Sequence, residues 1–195
     1  MKIDDVITNI YNEVKRRCEL PSNVYGIGAW DHHIKVVYEL AKKHADDYGA
    51  SLEIVSIAAL LHDIASVTDV KLTEEHHIIG AKIAEEFLIK VGYPKDKIDL
   101  VKKCILNHRG SKLMEKTSPE EVCIADCDAM AHFYSVPSLL SMIYREKKLG
   151  IDEGSKFVLD KLERSYNKMS DRGKQLVKKQ YDSAKDILEP LDLKL

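Results

Sequence analysis

Apolar residues recur along this chain at the three- and four-residue spacing of amphipathic helices, and glycine and proline interrupt that spacing at few points. One such stripe contains Ile34, Val37 and Leu40. A serine at 118, a proline at 119 and a glutamate at 121 form a strong helix-start signal. The pattern therefore predicts an all-α protein, with helices at about 3–19, 31–48, 52–66, 73–92, 96–108 and 118–133. Two or three amphipathic helices are predicted to follow, over about 136–149, 152–169 and 171–188.

One predicted helix is apolar almost all round and ends in a histidine beside an aspartate. Residues 54–61 read IVSIAALL, and His62 and Asp63 follow. A buried, ionised carboxylate is costly unless a cation or hydrogen bonds compensate it. Further candidates stand in other predicted helices or at their ends: His32 or His33, His76 or His77, His108, and Asp126 or Asp128. The pattern predicts a metal site assembled from several helices, with a hydrogen-bonded core pair in an unrelated helical protein as the alternative.

Length and charge narrow the class of protein. The 195 residues, 45% apolar and 32% charged, fit one helix-rich globular domain spanning residues 1–195. A net charge of −2 with interspersed signs gives no reason to expect a nucleic-acid or membrane partner. No stretch approaches a membrane span, and the N-terminus lacks the pattern of a secretory signal. We therefore expect a cytoplasmic protein.

Several segments resemble the HD superfamily of metal-dependent phosphohydrolases. In that family a histidine is followed by a His-Asp doublet, optional histidines and a distal aspartate. The similar segments here are WDHHIKVV at 30–37, ALLHDI at 59–64, EHHIIGA at 75–81, LNHRG at 106–110 and ADCDAM at 125–130. The resemblance implies a compact HD-domain-like helical bundle. Its metal-binding core would cover about residues 30–135, and additional C-terminal helices would cover about 136–195.

The resemblance also implies a choice within each pair of candidates. The family's first ligand histidine precedes a basic residue and a valine at a spacing that selects His32 over His33. A histidine three residues before a small residue and then alanine selects His77 over His76, and Asp128 is a better match than Asp126. The implied metal ligands are His32, His62, Asp63, His77, His108 and Asp128.

One or two divalent ions would bind these residues, with Mn, Fe, Ni, Co, Zn and Mg all open. Asp63 would bridge the two ions in the dinuclear form.

The activity implied is hydrolysis of a phosphomonoester or nucleotide phosphate bond through a metal-activated water. His62, Asp63 and Asp126 would be catalytic, and Arg109 and Lys112 would bind phosphate. The partner would be a small phosphorylated substrate, with nucleotides among the candidates. Two alternatives stay open: a phosphodiesterase of cyclic or linear nucleotides, and a non-catalytic, metal-containing signalling or binding module. Arg109 could instead pair with a surface acid.

Overall fold

The computed structural model describes residues 2–109 and 115–189, and the regular secondary structure in those ranges is helical throughout. This confirms the predicted all-α fold. A π-helical turn, Trp30–Ile34, precedes α2, a 3-10 turn lies at Val70–Leu72, and a second π-helical turn, Ile143–Lys147, follows α8. The α-helices are α1 (Ile3–Cys18), α2 (Lys35–Tyr48), α3 (Leu52–Leu61), α4 (Ile64–Thr68), α5 (His76–Lys90), α6 (Lys95–Asn107), α7 (Pro119–Tyr134), α8 (Val136–Met142), α9 (Ile151–Lys168) and α10 (Asp171–Leu188).

Local chemistry explains several of the helix ends, among them the start of α7 and the end of α2. The Ser118 hydroxyl accepts a hydrogen bond from the backbone N–H of Glu121, with Pro119 in the first turn, as the start signal predicts. Gly49 ends α2 at a φ of 66°, a left-handed conformation that favours glycine. The helices predicted to begin near residues 31 and 73 begin at other positions. The helical turn begins before Asp31, and α5 begins after Thr73, with Glu75 preceding it and making no side-chain cap.

The His62-Asp63 doublet lies at a break between two helices. The sequence pattern predicted one helix over 52–66, but α3 ends at Leu61 and α4 begins at Ile64. Asp63 has φ −107° and ψ 14°, in the sparsely populated bridge region where active-site residues often lie. The break could not be predicted from the sequence, because the apolar pattern continues through it and no glycine or proline marks it.

The core lies around α3, whose residues from Ile54 to Leu61 are all buried. Helices α1, α2, α6 and α7 pack against α3, and α5 packs mainly on α4 and α6. The buried ring of Trp30 meets the ring of Tyr11 edge to face, with centroids 4.5 Å apart. This packing points the ends of several helices towards one place beside His62 and Asp63.

Helices α9 and α10 form a C-terminal hairpin that packs against α7 through Asp126. The Asp126 carboxylate accepts hydrogen bonds from the Tyr48 hydroxyl at 2.9 Å, the Ser170 backbone N–H at 3.0 Å and the Ser170 hydroxyl. Ser170 also caps α10 by accepting from the Gly173 N–H. Asp126 thus joins three elements. That residues 1–195 form one domain remains a prediction.

Within the part of the chain that the structure describes, we find no helix with both the length and the apolar character needed to cross a membrane.

Candidate metal centre and adjoining cavity

Six side chains from five segments of the chain converge in two groups of three. His33, His62 and Asp128 form one group, and Asp63, His76 and His108 form the other. Within each group the potential ligand atoms lie within 4.8 Å of one another. The π-helical turn before α2 supplies His33, the break after α3 supplies the doublet, α5 supplies His76, the end of α6 supplies His108 and α7 supplies Asp128.

Asp63 joins the two groups. One carboxylate oxygen, Oδ2, lies 3.3 Å from His33 Nε2 and 3.5 Å from His62 Nε2. The other, Oδ1, lies 3.5 Å from His76 Nε2 and 3.9 Å from His108 Nε2. A carboxylate with one oxygen towards each group is suited to bridging two cations.

Three of the histidines are oriented by backbone carbonyls three residues earlier in the chain. The Nδ1 atoms of His62, His76 and His108 lie 2.6–2.7 Å from the backbone carbonyls of Ala59, Thr73 and Ile105. A carbonyl oxygen only accepts, so each Nδ1 carries hydrogen and donates. In a neutral ring Nε2 then presents a lone pair, which is the arrangement of a metal-ligating histidine with an outer-shell hydrogen bond.

The Nε2 atoms crowd one another in a way that fits a cation. His76 Nε2 is 3.1 Å from His108 Nε2, and His33 Nε2 is 3.2 Å from His62 Nε2. Two nitrogen lone pairs at such distances repel unless a proton or a cation lies between them. Imidazole nitrogens and carboxylate oxygens together suit Mn, Fe, Co, Ni or Zn. The residues present therefore fit a divalent metal.

The protonation states of these histidines and aspartates also fit a divalent metal. Burial lowers the pKa of His108 to about 4 and also lowers the pKa of His62, so both rings are neutral near pH 7. Burial disfavours the charged form of His33, but the Asp128 and Asp63 carboxylates outweigh it and raise its pKa to about 9. Burial would raise the pKa of Asp63, yet the neighbouring His62 and His33 hold it below the usual range. Asp63 and Asp128 both have lowered pKa values, so both are ionised and available as ligands.

His33 replaces the expected His32 in these groups. His33 lies on the same helical face as the buried Trp30 and Val37, at i−3 and i+4, and that face turns towards the doublet. His32 is exposed, and its backbone carbonyl accepts a hydrogen bond from the Ser135 hydroxyl. In the sequence, the apolar residues Trp30 and Val37 indicate which face of the helix is buried, and His33 lies on that face.

His76 similarly takes the place expected for His77. His77 is buried, and it continues the apolar stripe of α5 through Gly80, Ala81 and Ala84. His76 is one residue earlier, about 100° around the helix, and therefore faces the doublet. The expected positions of His62, Asp63, His108 and Asp128 coincide with the two groups. That all six bind metal is a proposal developed below.

Three other expected residues lie elsewhere. Asp126 is occupied in fastening the C-terminal hairpin, so the structure favours a structural role over the catalytic one. Arg109 donates to the Glu74 backbone carbonyl and lies 3.6 Å from the Glu74 carboxylate, which matches the surface-pair alternative. Lys112 lies outside the described residues.

A cavity of about 1450 Å³ opens beside the two groups and is large enough for a nucleotide-sized ligand. Its wall includes Asp63 and Asp128, and also His132, whose ring stacks on His33 with centroids 5.5 Å apart. The Nδ1 atom of His132 lies 3.1 Å from the Ser165 hydroxyl of α9, and no motif in the sequence marks His132 as a site residue. Basic side chains of α9 complete this side of the wall: Lys161, Arg164 and Lys168.

The family model described as HD domain matches residues 30–132, more than half of the chain. This chain belongs to the HD domain family. HD domains bind divalent metals, and the two His/Asp groups of this HD domain could hold such ions.

Two curated relatives share part of this HD domain. Ribonuclease Y of Petrotoga mobilis is 28% identical over 107 residues, which are 55% of this chain and 19% of the relative. A bifunctional uridylyltransferase/uridylyl-removing enzyme of Erythrobacter litoralis is 37% identical over 75 residues, 36% of this chain and 8% of the relative. The chain thus spans a small part of the length of either relative.

Solved structures resemble the HD domain over nearly its whole length. Bacillus subtilis YpgQ superposes with a TM-score of 0.73 at 22% identity, covering 96% of this chain and 94% of YpgQ. The complex of YpgQ with ADP gives a TM-score of 0.62 at 21% identity, covering 93% and 91%. At these identities the likeness establishes the fold, including the C-terminal hairpin.

Proposed function

We propose that this HD domain is a metal-dependent phosphohydrolase that cleaves a phosphomonoester or nucleotide phosphate bond. The observation that carries the proposal is Asp63, whose two oxygens face two histidine-containing groups at the wall of a nucleotide-sized cavity. His33, His62, Asp63 and Asp128 would hold one ion, and Asp63, His76 and His108 would hold a second. A bound divalent ion supplies Lewis acidity, which lowers the pKa of water and offsets the charge of a phosphate.

The protein side chains have distinct tasks in this proposal. The hydrogen bonds from Nδ1 to backbone carbonyls fix the rings of His62, His76 and His108, so that Nε2 faces Asp63 without reorganisation. Lys168, 3.6 Å from Asp128, adds positive charge at the edge of the first group. The ADP complex of YpgQ supports a nucleotide as the ligand class.

The test is an activity panel on protein reconstituted with Mn²⁺, Co²⁺, Ni²⁺, Zn²⁺ or Mg²⁺. The substrates are p-nitrophenyl phosphate, bis-p-nitrophenyl phosphate and a set of nucleoside mono-, di- and triphosphates. We expect turnover of a monoester or nucleotide, and at least about a hundredfold loss in Asp63→Asn, whose change removes the bridging charge. Asp47→Asn is the matched control, because Asp47 is exposed and pairs with His44 instead.

Each outcome distinguishes the alternatives. Preference for the bis-ester would favour a phosphodiesterase. Metal binding without turnover of any substrate would favour the binding module, and less than one bound ion per chain would contradict the proposed metal site.

A further inference from the structure

One face of α9 lines the cavity and carries a row of basic residues. Phe157, Lys161, Arg164 and Lys168 stand at positions i, i+4, i+7 and i+11, so they lie on the same side of the helix. The residues Val158, Leu162 and Ser165, which are buried, turn the remaining faces of α9 into the protein. This row lies outside residues 30–132, the part that matches the HD family.

The row begins at the acidic group and extends away from it. Lys168 Nζ is 3.6 Å from Asp128 Oδ2, which places this end beside the proposed metal site. Seven residues separate Lys168 from Lys161, a distance of roughly 10 Å along the helix axis. This distance exceeds the width of one phosphate group, so the row could contact a second anionic group of the same ligand.

Lys161 of the row differs from Lys156, a solvated lysine on the same helix. Lys156 points outward and pairs with Asp160 at 3.3 Å. Lys161 is half-buried, and neither Lys161 nor Arg164 makes an ion pair with any carboxylate of the described ranges. Burial disfavours the charged form of Lys161 and lowers its pKa, and the Asp128 and Asp63 carboxylates offset this only partly, without a direct ion pair. An anionic ligand in the cavity would give Lys161, and the exposed Arg164 beside it, a direct partner.

The wall of the whole cavity also carries more basic than acidic residues. Among the described residues its wall carries Arg109, Arg145, Lys147 and the three basic residues of the row, against Asp63, Asp128 and Glu146. This excess of positive charge contrasts with the net charge of −2 for the chain. Opposite charges lined along a cleft attract and orient a charged ligand.

We propose that Lys161, Arg164 and Lys168 form the phosphate-binding row of this protein and hold a phosphate group of the ligand beyond the one nearest the acids. The inference rests on the proposed function for its ligand class, and it replaces Arg109 and Lys112 as the main phosphate contacts. It assigns the choice of substrate to the C-terminal hairpin, and ligands with two linked phosphates are favoured over those with one.

The experiment measures the affinity of the full chain for inorganic pyrophosphate and for inorganic phosphate by isothermal titration calorimetry. Metal-free protein is used, so that the result depends neither on metal binding nor on turnover. We compare the wild type, Lys161→Gln, Arg164→Gln and the double variant. Lys156→Gln is the control, since it removes one charge from the outer face of the same helix.

We expect the wild type to bind pyrophosphate more tightly than phosphate. The double variant should lose about tenfold or more in pyrophosphate affinity, because charge-assisted hydrogen bonds are removed. Its affinity for phosphate should change less, and Lys156→Gln should match the wild type. The loss should shrink at high salt, where such contacts are screened.

If the double variant binds pyrophosphate within twofold of the wild-type affinity, the proposed phosphate-binding row is wrong. It is also wrong if the wild type binds pyrophosphate and phosphate with equal affinity. Arg164 is exposed, so Arg164→Gln keeps the test valid if replacing Lys161 disturbs folding. If metal content and turnover are normal while these affinities do not change, the inference alone fails. If pyrophosphate binds as expected but no metal binds, the proposed function alone fails.

Discussion

His33 differs from the other histidines of the metal centre because its Nε2 already faces two carboxylates. It lies 3.3 Å from an oxygen of Asp63 and 3.3 Å from an oxygen of Asp128. In the metal-free chain these acids keep a proton on His33, and that proton partly neutralises them. At the scale of single residues, His33 is therefore the position at which proton and metal compete.

The choice of His33 over its neighbour can be tested by a pair of substitutions. His33→Ala removes a proposed ligand, and we expect metal affinity to fall at least about tenfold. His32→Ala changes an exposed ring outside both groups and should leave the affinity within about twofold of the wild type. Metal content by mass spectrometry after dialysis against Mn²⁺ measures both. If His32→Ala lowered the metal affinity more than His33→Ala, His32 would be the ligand instead.

Metal affinity should rise with pH because of His33. Its pKa is raised to about 9, so at pH 7 an ion must displace a proton from Nε2, whereas above pH 9 it need not. One displaced proton gives an increase of up to about tenfold per pH unit between pH 7 and 9. Mn²⁺ titrations followed by electron paramagnetic resonance between pH 6.5 and 8.5 measure this slope. A flat profile in the wild type would contradict the competition.

The sequence could predict the doublet, His108 and Asp128, because each occurs once or in a short motif whose flanks are distinctive. It could not choose within adjacent histidines from family spacing. The side chains of His32 and His33 are about 100° apart on a helix, and which one faces inward depends on the rotation of the π-helical turn. The same reason applies to His76 and His77 at the start of α5.

The helices depend on a few contacts between distant parts of the chain, and Asp126 provides one of them. Its carboxylate receives hydrogen bonds from α2 and from the segment between α9 and α10. Gly173 approaches it so closely that an added Cβ would lie 2.5 Å from Asp126 Oδ2. This contact fixes where α9, and hence its basic row, lies along the cavity.

Asp126→Asn should weaken this attachment without affecting the metal centre. An amide has one acceptor oxygen instead of two, so buried donors of Tyr48 or Ser170 lose a partner, which costs about 1–3 kcal/mol. Urea unfolding and metal content measure the two effects, with Asp160→Asn, which affects only the outward pair with Lys156, as the control. Loss of turnover with unchanged stability would instead support the catalytic role implied by the family resemblance.

Gly173→Ala should be destabilising, although glycine to alanine within a helix is usually favourable. The methyl group would overlap the Asp126 carboxylate, and such overpacking costs about 1–3 kcal/mol. Gly150→Ala is the control, because a Cβ there meets no atom within 4 Å. Equal stability of both variants in urea would show that the hairpin can shift to accept the added group.

Most element bounds could be predicted from periodicity and caps, including those of α9 and α10. The contact made by Asp126 could not, because its partners Tyr48 and Ser170 are 78 and 44 residues away along the chain. Local patterns give elements, whereas the pairing of distant polar groups is set by packing. The break at Asp63 was missed for a related reason, since its backbone conformation is fixed by contacts with other helices.

The proposed metal centre would connect helices that are far apart in sequence. Its candidate ligands come from five elements between residues 30 and 132, so a bound ion would hold these elements together. A ligand that binds only the folded chain stabilises it by mass action.

Metal loading should therefore raise the melting temperature. An ion at about 100 times its Kd adds about 2.7 kcal/mol, which corresponds to roughly 5–10 °C for a chain of this size. Scanning calorimetry with Mn²⁺ and then with excess EDTA measures the shift and its reversal. Asp63→Asn should abolish most of it, and an equal shift in that variant would place the ion elsewhere.

The position of α9 has a consequence for engineering. Its inward residues line the cavity, while the histidines and acids that would hold metal all come from earlier helices. A combinatorial library restricted to positions 157, 161 and 164 would therefore alter which molecules are accepted and leave the reactive machinery unchanged. Recognition and chemistry in this scaffold can be evolved separately.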